Sequence, residues 1–357
     1  MDSPSSAITP TPDEPIRPVL LARLEDWIHI GRSRRAVKRG KVPTVIPYIG
    51  YGRPHWIRVL GRVLYLNPKQ NHVTGVRIDE QQASRVRGWR SFTSVHVPFT
   101  PVTVEVDGVI HGEVMSDRGG VIDSIVPVSL TPGWHSIKLS VDGQGGSESP
   151  VYVVDPNTHF GVISDVDDTV MITKLPKPFV AAWNSFVRHE QARVPTPGMS
   201  VFIDRQVSNH PGTPVIYLST GAWNVAPTLT RFLSRNLYPM GPLLLTDWGP
   251  TPDRWFRSGR EHKERELRRI ALEFPEIKWL LIGDDGQHDE ALYHEFSLQH
   301  PDNVSTVAIR QLTTGEAVLA GGRSKATLHT QVSGVPWIYG PDGATLSSEM
   351  EKIQREP

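Results

Sequence analysis

The spacing of hydrophobic residues changes along this chain, and each change predicts a different structure. Leu20, Leu21, Leu24, Trp27 and Ile28 recur at helical spacing and predict one amphipathic helix. From Trp56 to about Pro156 the period falls to two: Val102, Val104 and Val106 alternate with polar residues, as do Ile137, Leu139 and Val141. Turn signals at Asp107-Gly108, Asp117-Arg118-Gly119-Gly120 and Pro132-Gly133 separate these runs, and short strands at this interval predict a β-sandwich. Beyond residue 157 strands and helices alternate. Strands are expected at Val162–Ser164, Val215–Leu218, Leu243–Leu245, Trp279–Ile282 and Val304–Ile309, and helices at Ala226–Asn236, His262–Phe274 and Glu290–His300. That alternation predicts an α/β fold, a Rossmann-like parallel sheet whose ligand chemistry lies at the C-terminal ends of its strands.

The expected organisation is therefore a disordered tail (1–18), an amphipathic helix with a basic segment (19–50), a β-sandwich module (51–156), the α/β domain (157–340) and a C-terminal tail (341–357). The basic segment carries Arg32, Arg34, Arg35, Lys38, Arg39 and Lys41 with no acid between them. Behind an amphipathic helix, such a cluster can lie on an anionic membrane; the alternative is a helix packed on its own domain and ending in solvated charge.

Candidate chemistry concentrates in the α/β segment. The first strand runs into Asp165-Val166-Asp167-Asp168-Thr169. In extended backbone Asp165 and Asp167 project to one side, where two carboxylates repel unless a cation or a shared proton holds them. The second strand ends in Ser219-Thr220-Gly221, whose hydroxyls and backbone N–H groups can cradle a phosphoryl oxygen, although such a tripeptide is also ordinary loop chemistry. The fourth ends in Gly283-Asp284-Asp285, with Asp289 beyond. Asp284 reads as a metal ligand. Asp289 either supports the metal or caps the following helix, and Asp285 is the other candidate for that supporting role. Lys263 lies one turn before Leu267 on the face of Ile270, Ala271 and Phe274, so it turns inward, unlike Arg265 and Arg268, and needs an anion there. Thr169 more plausibly braces the loop than reacts.

With these motifs in order, residues 160–310 resemble the haloacid dehalogenase superfamily of aspartate-dependent phosphohydrolases. Asp165-Val-Asp-Asp-Thr169, Tyr217-Leu-Ser-Thr-Gly-Ala-Trp223 and Leu281-Ile-Gly-Asp-Asp-Gly-Gln-His-Asp289 are similar to the catalytic domain of the actin-patch phosphatidate phosphatase family. One departure is Ser219-Thr-Gly-Ala-Trp223, where Ser-x-Ser-Pro-Trp is expected. The resemblance implies that Asp165 attacks phosphorus and that Asp167 acts as general acid and then base, for which it starts protonated, as its carboxylate neighbours favour. It implies Mg2+ held by an Asp165 oxygen, the Asp167 carbonyl and Asp284, with Asp289 in support, and a phosphoryl group held by Ser219, Thr220, Gly221 and Lys263. The expected substrate is phosphatidate, hydrolysed to diacylglycerol. A soluble phosphomonoester is the alternative. So is a protein without turnover: a membrane adaptor, or a receiver-like signalling protein with its acceptor at Asp247.

Composition narrows the rest. The 38 basic and 38 acidic residues cancel, so no global field points to nucleic acid. The absence of cysteine excludes disulfides, thiolate zinc sites and cysteine nucleophiles, and it fits a reducing compartment. The Pro- and Ser-rich N-terminus has the wrong composition for a signal peptide, and no apolar run approaches the ~18 residues of a transmembrane span. The expectation is a cytoplasmic protein, peripheral where it meets a membrane. His96, His111 and His135 are too scattered for a metal site in the β-rich region.

Overall fold

The computed structural model describes residues 30–67, 95–142, 144–173, 193–246, 252–286, 288–320, 322 and 329–355. The apolar stretch 20–28, the insertion at 174–192 and Asp247 lie outside the described residues. Residues 30–38 are helical (α1), and Arg32, Arg34, Arg35 and Lys38 on it are exposed. No helix among the described residues is long and apolar enough to cross a membrane.

Strands β1 (Val42–Arg53), β2 (Trp56–Leu66), β3 (Pro101–Val106), β4 (Val109–Met115), β5 (Val121–Pro127), β6 (Gly133–Val141) and β7 (Gln144–Val153) form one sheet in the order β4-β3-β6-β7-β1-β2-β5. All its pairings are antiparallel except β1 with β7. The end strands β4 and β5 come into contact, so the sheet curls back on itself around a core that includes Val102, Val104, Ile137 and Leu139. It is therefore one curled sheet where two facing sheets were expected. The β3–β4 turn uses Asp107 and Gly108, both at positive φ (47° and 86°), which suits the twist of a tight hairpin.

The α/β domain contains β8 (Phe160–Asp165), β11 (Val215–Ala222), β12 (Leu243–Thr246), β13 (Lys278–Asp284), β14 (Val304–Arg310), β15 (Gln331–Val332) and β16 (Val335–Gly340) in the order β12-β11-β8-β13-β14-β16-β15. Every pairing is parallel except β15 with β16. Strands β9 (Met171–Thr173) and β10 (Arg193–Pro195) form a separate antiparallel pair. Helices α2 (Met199–Asn209), α3 (Ala226–Arg235), α4 (Pro252–Glu273), α5 (Asp289–Gln299), α6 (Thr314–Ala320) and α7 (Gly343–Arg355) complete it. The chain passes from β8 to β11 and β12 on one side, then crosses back to β13 and β14 on the other. The crevice of this switch opens at the carboxyl ends of β8, β11 and β13.

Two boundaries differ from expectation. The segment read as a C-terminal tail is α7, which buries Leu346 and Met350 against β16 and α2. Strand β1 starts at Val42, inside the expected basic segment, and is buried on both faces. Val45 joins the core of the β-module, while Ile46, Tyr48 and Tyr51 join the core of the α/β domain. The two modules thus share a core across β1. Tyr48 stacks on Trp223 with ring centroids 5.1 Å apart, and Tyr51 Oη donates to Glu273 at 2.8 Å.

Candidate active site

Register brings the acidic motifs together. Asp165 pairs with Leu218, so Ser219 emerges beside the acidic tip of β8; Ser164 pairs with Ile282, so Asp284 emerges on its other flank. Carboxylate oxygens of Asp165, Asp284 and Asp289 lie within 4.8 Å of one another, and all three residues are buried. Lys263 reaches this cluster from α4. Its Nζ lies 2.6 Å from Asp165 Oδ1 and 2.6 Å from Asp289 Oδ1, and the residue is 7% exposed. The side chains of Arg265 and Arg268 on the same helix are 70% and 49% exposed.

Extended geometry ends at Asp165. Asp168 takes a left-handed conformation (φ 60°), and the backbone folds back, with Asp168 N donating to Met171 O at 2.8 Å. The expectation that Asp165 and Asp167 act as side-by-side neighbours on an extended strand is corrected accordingly. Asp165 turns to Lys263, while Asp167 Oδ2 accepts the Ser219 hydroxyl at 2.9 Å. Ser219 Oγ in turn accepts the N–H of Gly221 at 3.0 Å. Thr220 is tied from behind, its carbonyl accepting Thr246 Oγ1 at 3.0 Å. Thr169 Oγ1 stands 3.5 Å from Asp284 Oδ2, and Gly286 N donates to Asp284 Oδ1 at 2.7 Å.

Asp289 does not act as a cap. His288 holds the N-cap position, with no side-chain cap hydrogen bond, and the Asp289 carboxylate is engaged by Lys263. A side chain at Gly283 would stand 2.8 Å from Asp289 Oδ2 and 2.7 Å from Tyr293, so this glycine is what lets the two elements approach. Asp285 turns the other way, accepting Leu312 N at 2.8 Å.

Electrostatics set the cluster apart. Burial pushes the Asp165 carboxyl well above the usual carboxylate range; Lys263 opposes this, while Asp289, Asp167 and Asp284 add to it. Burial disfavours the Lys263 ammonium, but Asp165 and Asp289 outweigh it and hold its pKa well above that of an ordinary lysine. Asp289 Oδ2 is buried with no hydrogen-bond partner among the described residues. Three carboxylates this close together, with Asp289 Oδ2 unengaged among the described residues, suit an oxygen-coordinated divalent cation.

Arg310, at the end of β14, carried no signal in the sequence pattern. Its buried guanidinium donates to the Asp168 carbonyl at 2.7 Å and to Glu316 at 2.8 Å, bracing the loop that carries Asp165 and Asp167. Beside the phosphate-loop candidates, a cleft of about 480 Å³ opens between α4 and the β-module, lined by residues including Trp223, Thr246, His262 and Asp123.

Comparison with known proteins bears on the same segment. The family described as "Phosphatidate phosphatase APP1, catalytic domain" matches residues 160–311. "Phosphatidate phosphatase APP1" of Saccharomyces cerevisiae is 24% identical over 249 residues, covering 66% of this chain and 41% of that protein. An uncharacterized protein of Schizosaccharomyces pombe is 25% identical over 245 residues, covering 64% and 40%. The chain thus spans about two-fifths of the length of these curated relatives. Among solved structures, a carbohydrate esterase covers 89% of this chain and 98% of its own at 6% identity, with a TM-score of 0.26, too low to inform the fold. Residues 160–311, the segment that carries the acidic cluster and Lys263, are similar to the catalytic domain of a phosphoric monoester hydrolase.

Proposed function

We propose that the chain is a phosphomonoesterase of the phosphatidate phosphatase type, with a haloacid dehalogenase-like α/β domain, working through an aspartyl phosphate at Asp165. The observation that carries this reading is the convergence of Asp165, Asp284, Asp289 and Lys263 at the carboxyl edge of the parallel sheet, inside the segment matched by the family.

In this reading Asp165 is the nucleophile, aligned by the Lys263 ammonium at 2.6 Å. Asp167, held by Ser219, protonates the leaving alkoxide and then takes a proton from the water that hydrolyses the intermediate. Lys263 and the Ser219–Gly221 loop orient and neutralise the transferring phosphoryl group, since this chemistry depends on positioning and charge compensation. Asp165, Asp284, Asp289 and the Asp167 carbonyl would hold Mg2+, which supplies positive charge to the phosphoryl oxygens when bound. Arg310 and Thr169 hold the loop in place.

Phosphatidate as substrate is supported by the family match and by the exposed cations of α1, which suit an anionic membrane surface. The test is phosphate release from phosphatidylcholine vesicles containing phosphatidate, against a soluble sugar phosphate, with and without Mg2+. Magnesium-dependent release from the vesicles is the expected result. Turnover of the sugar phosphate alone would remove the lipid reading and leave the phosphatase.

A further inference from the structure

Helix α4 presents two stripes. Lys263, Leu267, Ile270 and Phe274 are buried toward the parallel sheet. His262, Glu266, Arg269 and Glu273 lie on a neighbouring stripe, and the last three of these meet charged or polar side chains of the β-module directly or through one another. Asp123 of β5 is the hub. Its Oδ2 accepts Arg269 Nη1 at 2.7 Å, and its Oδ1 accepts Arg58 Nη1 at 2.6 Å. Arg269 turns back one helical turn to Glu266, and Arg58 closes the network on Glu273.

Apolar packing of Leu267, Ile270 and Phe274 holds α4 against the sheet and limits its rotation and sliding. Directional, charge-assisted bonds constrain both. Lys263 must place one ammonium 2.6 Å from two carboxylates that sit on different elements, so it tolerates little rotation of its helix. A misplacement of ~1 Å in such a site can cost roughly 100-fold in rate.

We propose that Asp123 is a positioning residue for Lys263: through Arg269 and Arg58 it fixes the rotation of α4, so that the β-module sets the geometry of the site on the neighbouring domain. This rests on the phosphatase reading above. Nothing in Asp123 itself touches the acidic cluster.

The experiment compares Asp123→Asn with Arg53→Ala in the full chain, using p-nitrophenyl phosphate below the unfolding temperature of every variant. Arg53 also crosses between modules, to Glu276 at 2.6 Å and to the Glu273 carbonyl at 3.0 Å, but has no bond to Asp123 or Arg269. Asp123→Asn is expected to lower kcat about 10-fold with KM within twofold, Asp123→Glu to recover part of the loss, and Arg53→Ala to leave kcat within twofold. In a Lys263→Ala background Asp123→Asn should have no further effect, because the two act through one group. Equal losses in Asp123→Asn and Arg53→Ala, an additive loss in the Lys263→Ala background, or an unchanged kcat would each overturn the proposal. Hydrogen exchange of the 259–266 amides provides a readout independent of turnover. Faster exchange in Asp123→Asn than in Arg53→Ala supports the clamp, and unchanged exchange overturns it. A wild-type chain that hydrolyses no phosphomonoester sinks the phosphatase reading instead.

Discussion

Asp123 in the β-module, with a side chain 30% exposed, and the buried Asp165 of the α/β domain are both carboxylates in contact with cations, yet they are perturbed in opposite directions. Burial works against the Asp123 carboxylate, and Arg269 and Arg58 outweigh it, holding its pKa below the ordinary value. Asp165 has one lysine, which it shares with Asp289, and burial together with three neighbouring carboxylates pushes its pKa up. The first carboxylate is met by two guanidiniums and joins two modules. At the second, three carboxylates lie within 4.8 Å of one another and two of them share the Lys263 ammonium, an arrangement that suits a metal ion or a proton from outside. Contact with a cation alone does not separate cement from chemistry; the surrounding carboxylates and burial do.

The largest effect expected of a single change is at Asp165. Asp165→Asn should lower turnover by roughly 10³-fold or more while the thermal unfolding midpoint stays level or rises, because it removes like-charge repulsion from the cluster. A turnover number near wild type would remove the distinction between the two carboxylates. Lys263→Ala comes next. It leaves Asp165 and Asp289 without their cation and should cost about 3–5 kcal/mol of stability as well as most of the activity, whereas exposed Arg265→Ala should stay within about 0.5 kcal/mol and twofold in rate. Denaturant unfolding and steady-state kinetics of the pair sharpen the comparison; equal effects would contradict it.

A smaller effect concerns the cation. Mg2+ at about a hundredfold excess over its Kd should stabilise the wild-type chain by ~2.7 kcal/mol and Asp284→Asn far less, read as shifts in unfolding midpoint. An Asp284→Asn shift equal to wild type would place the ion elsewhere. The smallest near neutral pH is a titration at the module interface. Burial, then Arg265, holds His262 down to about 3, so it is neutral at neutral pH and its 3.7 Å approach to Glu266 is no ion pair. An unfolded histidine titrates near ~6.5. Between those values only the unfolded chain takes the proton, so this contribution to stability is complete above about pH 6.5 and falls by up to ~1.4 kcal/mol per unit as pH drops toward 3. His262→Gln should flatten that acid limb in urea titrations; an unchanged slope would show that other groups set it.

Much of the α/β domain was legible because each parallel strand reads as a short apolar run ending in chemistry. Each of the five strands expected there falls within, or coincides with, the core of an observed parallel strand, and Lys263 could be put on the inward face from the spacing of Leu267, Ile270 and Phe274. The β-module was less legible where it matters most. Strand β1 is buried on both faces, so its residues lose the alternation that reveals a strand with one wet side. The helix in the expected C-terminal tail was obscured for another reason: its apolar face has only Leu346 and Met350 fully buried. Two parts of the site required coordinates. The strand ends at Asp165, and Asp165 and Asp167 meet different partners, whereas local spacing assumes an extended backbone there. The buried Arg310 gets its meaning only from the Asp168 carbonyl, distant in sequence.

The central claim is that Asp165, set by Lys263, receives the phosphoryl group. Acid-quenched samples of the Asp167→Asn variant, mixed with p-nitrophenyl phosphate, whose leaving phenolate needs no general acid, and Mg2+, should carry one phosphoryl group on the peptide containing Asp165, trapped because its hydrolysis lacks a base. Peptide mapping by mass spectrometry reads this directly. Phosphorylation of Asp165 that disappears in the Asp165→Asn, Asp167→Asn double variant is the predicted result; a phosphoryl group on Asp247, with Asp165 unmodified, would contradict the account.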